Sequence, residues 1–181
     1  MKKILATLII CLMLFSFAAC SNSTKQTSNN TFPVMTTEEE RSGDSVINPW
    51  KDFDQFTDAK TDSGVNFMLP DEIKSDVKVY RSLSGKMLEI KFTSSGTGAT
   101  LRVAKATTED ISGDYNKYAY EAAIRCRGLD INICSSDSSK LQKATWTDGM
   151  LSYVLIYDSE VPFDEANSLI STIILENTEA Y

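Results

Sequence analysis

Asp110, Ser112, Asp114 and Asn116 alternate along one short segment around Gly113, and each carries a side-chain oxygen of the kind that hard cations such as calcium take as ligands. The spacing departs from a full calcium loop in two ways: the glycine comes early, and the nearest downstream acid is Glu121. Successive turns closed by Asx-type side-chain hydrogen bonds account for the same residues and are the expected arrangement. Cation or ligand binding is the sharper alternative at this loop, and no metal or cofactor is expected elsewhere.

Histidine is absent from the chain. Its absence removes Ser-His-Asp and Cys-His activation of a nucleophile, imidazole zinc sites and the commonest general base near neutral pH. Carboxylate and lysine chemistry remain, but Glu38, Glu39 and Glu40 sit in a polar segment and Asp71-Glu72 follows Pro70 in a turn. Neither set is fixed across a cleft as glycoside hydrolysis needs. Arg125 and Arg127 flank Cys126 and could lower the pKa of its thiol; without a base or resolving partner, they read as outward arginines on a strand. Lys105 interrupts an apolar alternation and is placed to reach Asp110 or Asp114, a surface pair of small energetic value.

Met1-Lys2-Lys3, the apolar run from Ile4 to Phe17 and the closing Ala18-Ala19-Cys20 have the layout of a secretory signal. Phe17-Ala18-Ala19-Cys20 resembles the bacterial lipobox, with Phe where Leu is usual. The resemblance implies diacylglyceryl attachment to Cys20 and cleavage before it, removing residues 1–19. Two acyl chains bind a bilayer durably, since each buried methylene contributes about 0.8 kcal/mol and one chain alone is marginal. Cys126 and Cys134 then form the candidate disulfide pair of an oxidising exterior. Against that pairing, a tight turn at Arg127-Gly128 would set Cys126 opposite Leu129 and Cys134 opposite Glu121, farther apart than the roughly 7 Å Cα separation a disulfide allows.

Loss of Lys2 and Lys3 takes the formal charge from −7 to about −9 on a chain of pI 4.7. Basic residues are scattered singly apart from Arg125 and Arg127, so nucleic acid is excluded as a partner and anionic headgroups are repelled. Membrane contact must come from the lipid on Cys20. The oligomeric state is left open.

These residues must be positioned by one α+β domain over residues 48–181. Residues 20–47, rich in Ser, Thr and Asn, read as a lipidated cysteine followed by a disordered tether. The spacing of Trp50, Phe53 and Phe56, with Gly64 as a stop, predicts an N-terminal helix over about 51–62. Alternation at Val65-Phe67-Leu69, Val77-Val79, Leu88-Ile90-Phe92, Leu101-Val103, Ala122-Ile124-Cys126, Leu129-Ile131-Ile133, 140–146 and 150–157 predicts strands. Short Gly-rich links make the sheet mainly antiparallel, about 7–8 strands in all and curved. The strand over 150–157 is apolar on both faces and should be central. A C-terminal amphipathic helix opens at Pro162 and carries Ala166, Leu169, Ile170, Ile173 and Ile174 on one stripe.

Asn48-Pro49-Trp50, the helix with Gly64, the segment ending Leu69-Pro70, Glu109 to Asn116 and Ala144-Thr145-Trp146-Thr147-Asp148-Gly149 leading into Ser152-Tyr153 resemble a family of Gram-positive surface lipoproteins without an assigned activity. The resemblance covers most of residues 48–175. It implies a domain similar in outline to half-barrel lipoprotein carriers, on the extracytoplasmic face of the cell membrane, and it transfers no catalytic residues. Cys126 and Cys134 depart from the family's pattern.

The expectation is a non-enzymatic, lipid-anchored domain that binds a small ligand or an envelope protein through its sheet or the 107–116 loop. A carrier holding an apolar molecule between sheet and helices is the alternative, and it requires that Trp50, Phe67, Trp146 and the C-terminal helix leave a cavity. A carboxylate enzyme, the third reading, requires acids from different segments to converge in a cleft.

Overall fold

The computed structural model describes residues 48–178, so the signal expected over 1–19, Cys20 and the tether expected over 21–47 lie outside the described residues. Among these, eight strands form one open antiparallel sheet: β1 (Trp50–Phe53), β2 (Val77–Leu83), β3 (Met87–Ser94), β4 (Thr97–Lys105), β5 (Tyr120–Cys126), β6 (Leu129–Ser135), β7 (Lys140–Thr147) and β8 (Leu151–Pro162). Among the described residues, three helices accompany them: α1 (Phe56–Ser63), α2 (Asp71–Lys74) and α3 (Phe163–Thr178). The strand order β1-β2-β3-β4-β8-β7-β6-β5 joins two meanders along the β4–β8 seam, where Leu101 faces Leu155 and Val103 faces Tyr153.

Alternation assigns the two faces. Leu88, Ile90, Leu101, Val103, Tyr153, Leu155, Ala144, Ile131 and Ile133 point to one side and form the core with Ala166, Ile170, Ile173 and Ile174 of α3. Full burial of an aliphatic side chain such as Leu101 or Ile173 contributes about 1.5–3 kcal/mol. Trp146 stacks on Tyr153, with ring centroids 5.0 Å apart and planes 5° from parallel, and Phe67 meets the same tyrosine edge-on. The 150–157 strand is central, as its two apolar faces predict, and α3 packs on β8, β7 and β5.

Three local expectations are corrected. Residues 50–53 are an edge strand paired with Tyr80–Leu83, and the N-terminal helix is confined to the short α1. The 3.6-residue spacing of Trp50, Phe53 and Phe56 was therefore fortuitous, although Gly64 does cap the helix, in left-handed conformation with its N–H on the carbonyls of Lys60 and Thr61. Val65, Phe67 and Leu69 are buried in alternation but join no ladder. At Met68 the backbone is satisfied instead by a side chain of α3: Asn177 accepts from Met68 N–H (2.9 Å) and donates to the Met68 carbonyl (3.0 Å) and to that of Ile173 (2.9 Å). Pro162 ends β8 opposite Lys140, and the helix opens one residue later.

Strand order dictates one further path. The chain leaves β4 in the middle of the sheet and re-enters at β5 on its far edge, so residues 106–119 must cross β8, β7 and β6, about 19 Å at strand spacing. With α3 on one face, the crossing runs over the other. Ala106 N–H bonds to the Met150 carbonyl, Thr107 N–H to Ser152 Oγ, and Asp114 meets Lys143 of β7.

Candidate functional site

The face opposite α3 carries the polar chemistry. A single cross-strand row runs Asp52, Arg81, Glu89, Arg102, Val154, Thr145, Asn132, Ala123, one residue from each strand. Its first four members alternate in charge. Glu89 is fully buried and accepts from Arg81 Nη1 (3.0 Å) and Arg102 Nε (2.7 Å), while Arg81 Nε also reaches Asp52 (2.8 Å). Trp50 lies over both guanidiniums, at 5.4 and 5.5 Å from ring centre. It is half-buried on this outer face.

Arg102 extends the row into the crossing segment. Its Nη1 donates to the carbonyls of Ile111 and Ser112. A Cβ at position 113 would stand 2.7 Å from that nitrogen, so Gly113, with φ of 60°, is required both for conformation and for close approach.

Farther along, the Asp114 carboxylate takes Lys143 Nζ at 2.9 Å and the Tyr118 hydroxyl at 2.7 Å, with Lys143 Nζ 4.9 Å from the centre of the Tyr118 ring. Burial opposes ionisation of Asp114, but Lys143 and Tyr118 outweigh it and the carboxyl titrates below its ordinary value. Burial, reinforced by Asp114, pushes Tyr118 up to about 12. Burial also works against the charge on Lys143, yet Asp114 prevails and the ammonium pKa is raised. The cation expected to meet this loop was Lys105; Lys143, from a distant strand, takes that place.

The four loop residues singled out by spacing form a ladder of side-chain-closed turns. Ser112 N–H bonds to Asp110 Oδ1 (2.8 Å), Asp114 N–H to Ser112 Oγ (3.0 Å) and Asn116 N–H to Asp114 Oδ1 (3.1 Å). The side-chain oxygens of Asp110, Ser112 and Asp114 are thus engaged one after another along the backbone. Among the described residues, no group of three or more Cys, Asp or Glu is placed to hold a metal ion. Hydrogen bonds from Ser112 hold the Asp110 carboxyl below its ordinary value.

Cys126 and Cys134 are both free thiols. Arg127 and Gly128 make the tight turn, with φ of 47° and 87°, so Cys126 faces Leu129 and Cys134 faces Glu121. The two side chains stand on opposite faces of the sheet, a geometry that corrects the candidate disulfide. Cys126 is buried on the α3 side. Burial raises the pKa of Cys134 despite Lys143 nearby, so its thiol is not activated.

Between the crossing segment and strands β5–β8 lies a cleft of about 500 Å³. Asp110 borders it from the loop, Glu121 and Asp130 from β5 and β6, and Asn132, Lys143 and Thr145 line it. Spacing pointed to Asp110 and its neighbours but missed Glu89, Arg102 and Lys143. The signal available for them was charge on the outward positions of otherwise apolar strands, Arg102 between Leu101 and Val103 above all.

No known protein family, curated protein or solved structure matches this chain. Among the described residues, no helix is long and apolar enough to cross a membrane.

Proposed function

We propose that this is a lipid-anchored domain on the extracytoplasmic face of a bacterial membrane, held through Cys20, that binds a polar ligand or envelope component in the cleft beneath residues 106–119. The sheet, read as curved about α3, fits the half-barrel outline of the lipoproteins that the sequence resembles. One observation carries the binding assignment: a cleft of about 500 Å³ whose acceptors, Asp110, Glu121 and Asp130, come from three segments and converge with Asn132 and Thr145. Such a lining suits a hydroxyl-rich or cationic molecule. Carriage of an apolar molecule is disfavoured because Phe67, Trp146 and the α3 stripe fill the space between sheet and helix.

The same convergence of acids favours a second reading, carboxylate catalysis. It is the weaker one, since a general acid needs a raised pKa and Asp110 is shifted the other way. A photoreactive residue at Thr145, in the full-length protein on intact cells, tests the binding role. Capture of one molecular species from Thr145 but not from Lys78 on β2 is the expected result. Equal or absent capture from both positions contradicts it.

A further inference from the structure

Among the described residues, β5 is an open edge of the sheet, uninterrupted over Tyr120–Cys126 and free of bulges against β6. It contains no proline or lysine, the usual devices that blunt such edges. The Arg127-Gly128 turn fixes which backbone groups face outward. Positive φ at both central residues makes it a two-residue hairpin turn, in which the flanking Cys126 and Leu129 are a hydrogen-bonded pair. By alternation Tyr120, Ala122 and Ile124 also bond to β6, leaving the N–H and C=O groups of Glu121, Ala123 and Arg125 directed away from the sheet. The side chains of these three are exposed on the outer face, whereas Tyr120, Ala122 and Ile124 are half-buried on the α3 side.

We propose that β5 pairs antiparallel with β5 of a second copy about a two-fold axis at Ala123. This register sets Glu121 opposite Arg125 of the partner subunit, and the reciprocal pair follows by symmetry. Each facing pair exchanges both backbone hydrogen bonds, because the residues concerned are those whose groups point outward. On the α3 side Ala122 meets the partner's Ile124, covering apolar surface that one copy leaves half-exposed. Registers centred on Glu121 or Arg125 place like charges directly opposite, which is destabilising. Registers centred on Ala122 or Ile124 break the Glu121–Arg125 pair, setting Glu121 or Arg125 respectively opposite Ala123, and axes that fall between two residues turn the outward hydrogen-bonding groups out of phase. The self-complementary charge pattern selects a second copy as occupant rather than an unrelated extended peptide. The pairing shares Glu121 with the cleft reading, but its test reads association of two copies and not capture of a ligand, so the two fail separately.

Sedimentation of the full-length protein in detergent tests it, with Glu121→Arg, Arg125→Glu and the double exchange. Each single reversal should weaken the dimer about tenfold or more, since it creates two like-charge pairs per dimer, and the double exchange should restore parental affinity. That restoration separates lost pairing from misfolding. Ala123→Cys should form an intermolecular disulfide well above the parental background, because bonded partners have Cα atoms about 5.5 Å apart. A parent that is monomeric at every concentration, a dimer indifferent to the single reversals, or a double exchange as weak as either single one overturns the proposal.

Discussion

Glu89 and Arg102 face one another across β3 and β4 at 2.7 Å, and the same guanidinium holds the carbonyls of Ile111 and Ser112. A fully buried carboxylate thereby fixes the cation that clasps the crossing segment to the sheet. Glu89→Ala should cost about 3–5 kcal/mol, because it leaves two guanidiniums facing each other without their shared anion. Chemical denaturation followed by circular dichroism measures the loss.

Arg102→Met keeps the stem of the side chain and removes its donors. Amide exchange at residues 111–114 should accelerate, while exchange in β8 stays close to that of the parent protein. Uniform acceleration across the sheet would show that Arg102 supports the whole fold rather than the crossing segment.

The Asn177 amide substitutes for a neighbouring strand at Met68. Asn177→Leu leaves the part-buried Met68 N–H and carbonyl without this partner, at about 1 kcal/mol for each, the low end of the range because water reaches them. Asn177→Asp keeps the acceptor but sets a carboxylate against the carbonyls of Met68 and Ile173, and should destabilise at least as much at neutral pH. Thermal unfolding of the two variants checks the order.

Asp110 and Asp114 are shifted down in the folded protein, so both bind protons more weakly there than in the unfolded chain. Their contribution is complete above the ordinary carboxylate pKa and is lost as pH falls through the lowered folded values. The raised Lys143 pKa acts at the other end, present below its ordinary value and lost as pH climbs through the folded one. Stability measured against pH should fall in acid, and Lys143→Met should remove much of the part due to Asp114.

Much of the sheet was legible because its signals are local. Alternation marked β2 to β8, short Gly-rich links marked the antiparallel pairing, and the apolar stripe marked α3. The failures share a physical cause. Whether Trp50–Phe53 coils or pairs depends on β2, and whether Val65–Leu69 gains a ladder depends on Asn177, in the last turn of α3. The route of residues 106–119 follows from strand order, which no window of sequence encodes. For the loop itself, the spacing of Asp110, Ser112, Asp114 and Asn116 correctly implied side-chain-closed turns, but their anchors, Arg102 and Lys143, lie on other strands.

Residence on the membrane through Cys20 is the central claim, because it decides which molecules can reach the cleft. Intact mass and N-terminal peptide mass spectrometry of the protein isolated from its native membrane test it most directly. A chain that begins at Cys20 and carries a diacylglyceryl group is the expected result. A mature chain with an unmodified Cys20, or one that retains residues 1–19, would contradict it.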